Sequence, residues 1–127
     1  LVWDKRVEEK FDKMFGSGFE LAWSKSKHKQ KIYRYNNTLF SGNEEARNKI
    51  HPTQKPTGLF IEIMNDFKAK NKVIDLFLGS GSTLIACEKT NRKCYGMEID
   101  PHYCDVIVKR WEEFTGNKAE RVERAEC

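Results

Sequence analysis

The sequence predicts an α/β protein with a parallel sheet, and three observations support this prediction. The apolar run over residues 73–78, interrupted by Asp75, is typical of a parallel strand covered on both faces. Gly79 and Gly81 follow the run and allow a sharp turn, because neither residue carries a Cβ. A second strand is predicted over residues 95–100, and it places Glu98 at its carboxyl end.

Three helices are predicted around these strands. Apolar residues recur at helical spacing from Leu59 to Phe67, and Asn71 is a suitable stop. The second helix follows the glycine turn, with Ser82 or Thr83 as its cap, and runs to about Thr90.

The third helix has the clearest boundaries in the sequence. Asp100 is suited to the N-cap and Pro101 to the first helical position. Its apolar stripe runs from Tyr103 to Phe114, and Gly116 closes it. Both apolar stripes are expected to pack on the sheet.

Composition limits the classes of protein to consider. The 127 residues make one domain at most, and 33% of them are charged. No apolar run approaches the roughly 18 residues of a membrane span, and no secretory signal is visible. The four cysteines form no Cys-x-x-Cys pair, which favours reduced thiols in a cytoplasmic protein. The three histidines have no ligand spacing, so we expect no metal.

The glycine turn narrows the choice of ligand. A dinucleotide fingerprint would have a third glycine where Leu84 stands, and no lysine lies between Gly79 and Thr83 to neutralise phosphate. Glu98 can accept hydrogen bonds from both hydroxyls of a ribose. The loop therefore suits a ligand with a ribose and little negative charge, such as S-adenosylmethionine (SAM). The alternative is an ordinary glycine turn of an α/β protein.

Two motifs in series make the sequence resemble a known family. The hexapeptide His51-Pro-Thr-Gln-Lys-Pro56 precedes Asp75-x-Phe77-x-Gly79-x-Gly81-Ser-Thr83. Together they resemble the SAM-binding end of the DNA amino-methyltransferases, which methylate N6 of adenine or N4 of cytosine. The order of parts resembles the β group, in which the catalytic motif comes first. The resemblance covers about residues 1–116 and implies part of a Rossmann-like, three-layer α/β/α methyltransferase fold.

The resemblance also implies site residues and a division of the chain. Residues 1–50 would form a terminal strand hairpin with a polar basic loop, residues 51–116 the SAM-binding region, and residues 117–127 a charged tail. The hairpin strands would lie in residues 1–5 and 19–24, with a break at residues 16–18. The residues expected around SAM are Lys55, Pro56, Asp75, Phe77, Gly79, Ser80, Gly81, Ser82, Thr83, Glu98 and Ile99.

The family's catalytic motif, in which Asp, Asn or Ser is followed by Pro-Pro and then Tyr, Phe or Trp, is absent from this sequence. The chain has three prolines and none are adjacent. Asp100-Pro-His-Tyr103 resembles a degenerate copy of that motif, but we interpret it as the start of a helix. No catalytic residue is therefore assigned. By resemblance, the catalytic motif and the intervening strands would precede Leu1. The sheet would then have exposed edges, and we expect the chain to self-associate or exchange elements.

A row of alternating lysines follows the second hairpin strand. If it lies on a strand, alternation places one set of side chains on one face, where they could meet DNA phosphates. The alternative is a solvated hairpin edge protected by lysines. The DNA-contacting candidates are Lys25, Lys27, Lys29, Lys31 and Arg34.

The resemblance implies that the longer enzyme transfers a methyl group from SAM to an exocyclic amino group of a DNA base. Adenine N6 is favoured over cytosine N4 as the target, and this chain alone is expected to be inactive. One alternative is an inactive or vestigial SAM-binding fragment. Another is a small basic nucleic-acid-binding module without cofactor, which would leave Glu98 and the hexapeptide unexplained. A Rossmann domain for a different nucleotide is disfavoured by Leu84.

Overall fold

The computed structural model describes residues 2–4, 19–25, 29–35 and 54–123. Within them it contains five strands and three helices. In chain order these are β1 (Val2–Asp4), β2 (Phe19–Leu21), β3 (Ile32–Arg34), α1 (Thr57–Asp66), β4 (Lys72–Asp75), α2 (Ser82–Lys89), β5 (Lys93–Gly96) and α3 (Pro101–Thr115). The break expected at residues 16–18 lies outside the described residues.

A three-stranded sheet, with strand order β2-β1-β3, forms the amino-terminal part of the fold. β1 pairs antiparallel with β2, with Val2 opposite Leu21, so the two strands expected in the hairpin are neighbours in this sheet. β1 also pairs parallel with β3, with Val2 opposite Ile32. The sequence did not predict β3, because its three residues follow directly on the lysine row.

A parallel pair of strands, β4 and β5, forms the second sheet, and α2 connects them. Both strands are displaced from the predicted ranges, which were residues 73–78 and 95–100. The ladder of hydrogen bonds continues past the strand ends, with Met97 N donating to Asp75 O and Leu78 N donating to Met97 O, both at 2.9 Å. Beyond this point side-chain carboxylates bind the backbone amides, so the regular strands end.

The core of this region lies on one face of the parallel pair. Met64 of α1 and Ala86 and Cys87 of α2 are buried together. The partly buried side chains of Val73 in β4 and Cys94 in β5 pack against them. These apolar contacts hold the helices α1 and α2 on the sheet.

The opposite face of the parallel pair is exposed in the described part of the chain. Ile74 and Tyr95 are paired neighbours across the two strands, and they are 70% and 53% exposed. Leu76 and Met97, which follow on the same face, are exposed as well. The expectation of a strand covered on both faces is therefore wrong for the described residues, because α1 and α2 both lie against the Val73 and Cys94 side.

The helix ends agree with the sequence in one case and differ in two. α3 is as predicted: the Asp100 side chain accepts a hydrogen bond from His102 N at 2.9 Å, and Gly116 has the positive φ of a C-cap. α1 ends at Asp66, before Asn71, because Ala69 N bonds back to Met64 O. The N-cap of α2 is Gly81, and neither Ser82 nor Thr83 has that role.

Side chains of α1 connect it to the three-stranded sheet. Tyr33 of β3, 2% exposed, packs against Leu59, and its hydroxyl donates to Asp66 at 2.8 Å. Lys31 forms an ion pair with the same carboxylate. The Tyr35 hydroxyl donates to Glu62 at 2.7 Å. Burial, reinforced by these carboxylates, raises the pKa of Tyr33 and of Tyr35 to about 12.

Candidate functional site

A cleft of about 300 Å³ opens where β4 and β5 end. This is the edge of an open α/β sheet at which ligands bind. The cleft brings together eight of the eleven residues expected around SAM and adds three others. Its lining residues are Gln54, Lys55, Phe60, Asp75, Phe77, Leu78, Gly79, Ser80, Ser82, Thr83 and Glu98.

Asp75 shapes the turn at the bottom of the cleft. One carboxylate oxygen accepts from the Phe77 amide at 3.0 Å, and the other accepts from the Thr83 hydroxyl at 2.6 Å. The Thr83 hydroxyl thus binds Asp75, which explains why this residue does not cap α2. Because both oxygens bind protein donors on either side of the turn, Asp75 fixes the path of the backbone from β4 into α2.

Glu98 joins the ends of the two strands. Its Oε2 accepts from Gly79 N at 2.7 Å, while its Oε1 accepts from Ile99 N at 2.9 Å and from Asp100 N at 3.0 Å. Hydrogen bonds from amide donors to a carboxylate are charge-assisted and hence strong. The carboxylate is therefore held at the wall of the cleft, beside the glycine turn, as the ribose hypothesis requires.

The two glycines of the turn share a backbone conformation that disfavours a side chain, but they differ in the space around them. Gly79 has a φ of +56° and Gly81 a φ of +80°, both in the left-handed region that side chains disfavour. A Cβ on Gly81 would also approach the Ile107 side chain of α3 at 3.4 Å. Gly79 by contrast faces open space, because an added Cβ would meet only the Phe77 carbonyl oxygen, at 4.0 Å.

The remaining predicted residues lie at the margins of the cleft. Phe77 and Ile99 are 90% and 97% exposed, and Ile99 does not line the cleft. Lys55 forms an ion pair with Glu20 of β2 at 3.1 Å. Pro56 is buried at the N-cap of α1 and, like Gly81, lies outside the lining. Residues 51–53, the first half of the hexapeptide, lie outside the described residues.

Sequence reasoning missed four residues that belong to this region. Gln54, Phe60 and Leu78 line the cleft, and each stands beside a predicted site residue or in a predicted helix. Arg110 of α3 donates from Nη1 to Ser80 O at 2.8 Å, behind the glycine turn. No sequence signal could have identified this contact, because 30 residues separate its partners.

The lysine row does not lie on a strand where it is described. Lys25 and Lys29 are exposed outside the strands, and Lys31 precedes β3 and binds Asp66. Arg34 is exposed within β3. The alternation therefore does not give one basic face on a strand, since the described lysines lie outside the strands. Lys27 lies outside the described residues.

The described cysteines are free thiols. Burial raises the pKa of Cys94 to about 12 and also raises the pKa of Cys87, which lies beside it in the core. Within residues 54–123 and the shorter described segments, no group of three potential ligands could hold a metal ion. In the same part of the chain, no helix is long and apolar enough to cross a membrane.

Two solved structures share this architecture. One is the complex of M1.HpyAVI with SAM, which superposes with a TM-score of 0.56 at 24% identity over 87% of this chain and 59% of that one. The other is TTHA0409 of Thermus thermophilus in complex with SAM, with a TM-score of 0.58 at 16% identity over 97% of this chain and 56% of that one. The fold is thus part of a Rossmann-like methyltransferase fold, as predicted.

Sequence comparison identifies the family. A family model described as DNA methylase, of the N6/N4 type, matches residues 3–109. The chain is similar to the type II methyltransferases M.HinfI of Haemophilus influenzae, 35% identical over 75 residues, and M.HpaI of Haemophilus parainfluenzae, 36% identical over 70 residues. These matches cover 58% and 54% of this chain but 21% and 22% of the relatives. The chain belongs to the N6/N4 DNA methylase family and spans about a fifth of those relatives.

Proposed function

We propose that this chain binds SAM in the cleft and forms the cofactor-binding part of a DNA amino-methyltransferase. The observation that supports this most directly is the 2.7 Å bond between Gly79 N and Glu98 Oε2. It holds a carboxylate and a glycine turn side by side at the end of two parallel strands. A carboxylate there recognises a ribose, and the turn admits a ligand at close range.

Seven of the eleven residues expected around SAM have a role in this proposal. Glu98 accepts hydrogen bonds from the ribose hydroxyls, and the exposed Ile99 packs on the adenine, while the exposed Phe77 lies in the turn beneath the methionine end. Covering these two apolar side chains with the ligand is favourable, because their exposed surface leaves water. Lys55 borders the methionine end of SAM, and Gly79 allows the close approach. Asp75 and Thr83 act on the shape of the turn.

The reaction proposed for the longer enzyme is methyl transfer from SAM to an exocyclic amino group of a DNA base. The proposed target is N6 of adenine. The base would leave the duplex to reach the cofactor. The amino nitrogen is a weak nucleophile, because its lone pair is conjugated into the ring. Much of the rate therefore comes from positioning the amino group against the methyl group of SAM. This chain has no adjacent prolines and hence no Pro-Pro-aromatic motif, so we propose that it has no methyltransferase activity alone.

The proposed DNA contacts involve the exposed basic residues at the three-stranded sheet. Lys25, Lys29 and Arg34 are exposed, and the chain has a net charge of +4. Phosphate contacts by such residues make DNA binding weaken as the salt concentration rises.

We propose that the protein works in the cytoplasm, because both SAM and DNA are available in that compartment.

The exposed face of β4 and β5 supports self-association of the chain. Parallel strands are almost always covered on both faces, whereas Ile74 and Tyr95 are mostly exposed here. A second copy that covers this face would remove their apolar surface from water. Sedimentation velocity over a range of concentrations should show dimers that Ile74→Lys abolishes. Val122→Lys, also at an exposed apolar residue, should leave them intact. A wild-type monomer at high concentration would contradict self-association.

The cofactor proposal is tested by calorimetric titration with SAM and S-adenosylhomocysteine. We expect wild type to bind both, and Glu98→Ala to bind at least about tenfold more weakly, equivalent to about 1.4 kcal/mol. Glu113→Ala is the matched control, because Glu113 is exposed on α3 and pairs only at 3.9 Å with Lys109. Equal affinity of wild type and Glu98→Ala would contradict the role of Glu98. No binding to folded wild type would contradict the cofactor proposal for this chain.

A further inference from the structure

Arg110 lies behind the glycine turn and contacts it with one guanidinium nitrogen. Its Nη1 is 2.8 Å from Ser80 O, 3.3 Å from Ser82 Oγ and 3.5 Å from Ser80 Oγ. Both serines line the cleft, whereas Arg110 does not. Any effect of Arg110 on a ligand is therefore transmitted through the turn.

The bond to Ser80 O restricts one peptide group of the turn from both sides. The carbonyl of Ser80 accepts from Arg110, and the amide of Gly81, in the same peptide plane, donates to Leu78 O at 2.9 Å. A peptide plane with a partner at each end cannot rotate without breaking a bond. The plane lies within the turn formed by Gly79, Ser80 and Gly81, in which both glycines have a positive φ. Glycine has the greatest intrinsic freedom of backbone rotation, so this turn would move easily without such a restraint.

The position of the guanidinium is electrostatically unfavourable by itself. Gly81 is the N-cap of α2, and the positive end of a helix dipole repels a cation. Ser80 is 4% exposed and Ser82 is 5% exposed, so the contact is also shielded from water. The three acceptors compensate for this cost, because hydrogen bonds from a charged donor to a buried group are strong.

From this geometry we infer that Arg110 is a positioning residue for the cofactor, holding the Ser80–Gly81 peptide in the orientation that the ligand meets. The inference rests on the proposed binding of SAM in the cleft. α3 transmits the restraint, since Ile107 lies against Gly81 and the Trp111 indole donates to Glu88 of α2 at 3.0 Å. Arg110 thus joins a third element to a turn that Asp75 and Glu98 hold from the other side.

The test compares Arg110→Met, Arg110→Lys and Lys109→Ala with wild type. Methionine keeps much of the side-chain length without donors, and lysine restores a charged donor without the planar fork. Lys109 neighbours Arg110 but is 78% exposed and pairs only with Glu113, so it is the control. Two readouts are needed: hydrogen exchange of the Gly79–Gly81 amides in the free protein, and affinity for S-adenosylhomocysteine by calorimetry.

We expect Arg110→Met to exchange the Gly81 amide at least about tenfold faster and to bind S-adenosylhomocysteine about tenfold more weakly, a factor that corresponds to about 1.4 kcal/mol. Arg110→Lys should recover part of both effects, and Lys109→Ala should match wild type. Unchanged affinity in a folded Arg110→Met, with wild type binding normally, would overturn the inference and leave the cofactor proposal intact. Absence of binding by wild type would overturn both, even if the exchange rates differ.

Where Arg110→Met is unstable, Ser82→Ala separates the two effects. It removes one acceptor of the guanidinium and leaves the bond to Ser80 O in place. The inference requires an affinity loss clearly smaller than the factor of about ten expected when the whole Arg110 contact is removed, with the Gly81 amide still protected. A loss of about tenfold or more would assign the effect to the Ser82 hydroxyl and overturn the role of the peptide restraint.

Discussion

The glycine turn and the three-stranded sheet are held in place by different kinds of interaction. At the turn, the carboxylates of Asp75 and Glu98 bind backbone amides, and the guanidinium of Arg110 binds a backbone carbonyl. At the sheet, contacts between side chains predominate, from Tyr33 to Leu59 and Asp66. The turn is therefore defined by backbone geometry, whereas the attachment of the sheet depends on packing and on the ionisation of a few groups.

The largest difference between the two regions should appear when the packing of the sheet is removed. Leu59→Ala deletes a buried side chain that contacts Tyr33, and such substitutions cost about 2–5 kcal/mol. We expect urea denaturation to show this loss, with little change in SAM affinity of the protein that remains folded. Leu21→Ala is the control, because Leu21 is exposed. A loss of SAM affinity in the folded fraction, equal to that of Glu98→Ala, would show that the two regions are coupled.

A smaller effect on stability, but a larger one on the cofactor, is expected at the turn. Thr83→Val removes the hydroxyl that donates to Asp75 and leaves that carboxylate oxygen without this donor, at a cost of roughly 1–3 kcal/mol. SAM affinity measured by calorimetry should fall with it.

Thr90→Val is a matched control for Thr83→Val, because the Thr90 hydroxyl donates only to carbonyls of the last turn of α2. It should leave SAM affinity unchanged. If the two valine variants bound SAM equally well, Asp75 would shape the turn without help from Thr83.

The smallest effects on the three-stranded sheet are expected from pH, through the Asp66 and Tyr33 side chains. Hydrogen bonds from Lys31 and Tyr33 lower the pKa of Asp66, so its contribution is present above the ordinary value of 3.8 and is lost as pH falls below it. The raised pKa of Tyr33 gives the opposite dependence of stability on pH. Its contribution is complete below pH 10.0 and is lost as pH rises through about 12.

Absorbance of tyrosinate in the near ultraviolet, followed through an alkaline titration, measures the ionisation of Tyr33. Tyr33→Phe should remove one of the late-titrating groups. If Tyr33→Phe left the late-titrating step unchanged, the Tyr33 hydroxyl would not be held by Asp66. Thermal denaturation in acid should then show no difference between wild type and Tyr33→Phe.

Local signals were the ones that the sequence could supply. The ends of α3 were predictable, since Asp100, Pro101 and Gly116 act within one turn of the residues they cap. The glycine turn was predictable for the same reason. β3 was not, because three residues give too short a pattern and their pairing with β1 depends on residues about 30 positions away. The contact of Arg110 with Ser80 could not be predicted for the same reason, since 30 residues separate the two partners. The cap of α2 was wrongly predicted, because the Thr83 hydroxyl donates to Asp75.

The bond from Gly79 N to Glu98 also has a topological consequence. It brings the two ends of a segment of about 20 residues together, so α2 and β5 form a closed loop with a single neck at the cleft. The far end of this loop is the turn at Asn91, which has a φ of +53° and is exposed. A chain lengthened at Asn91 changes the circumference of the loop without widening its neck. The site can therefore retain its shape while its distal tip varies in length.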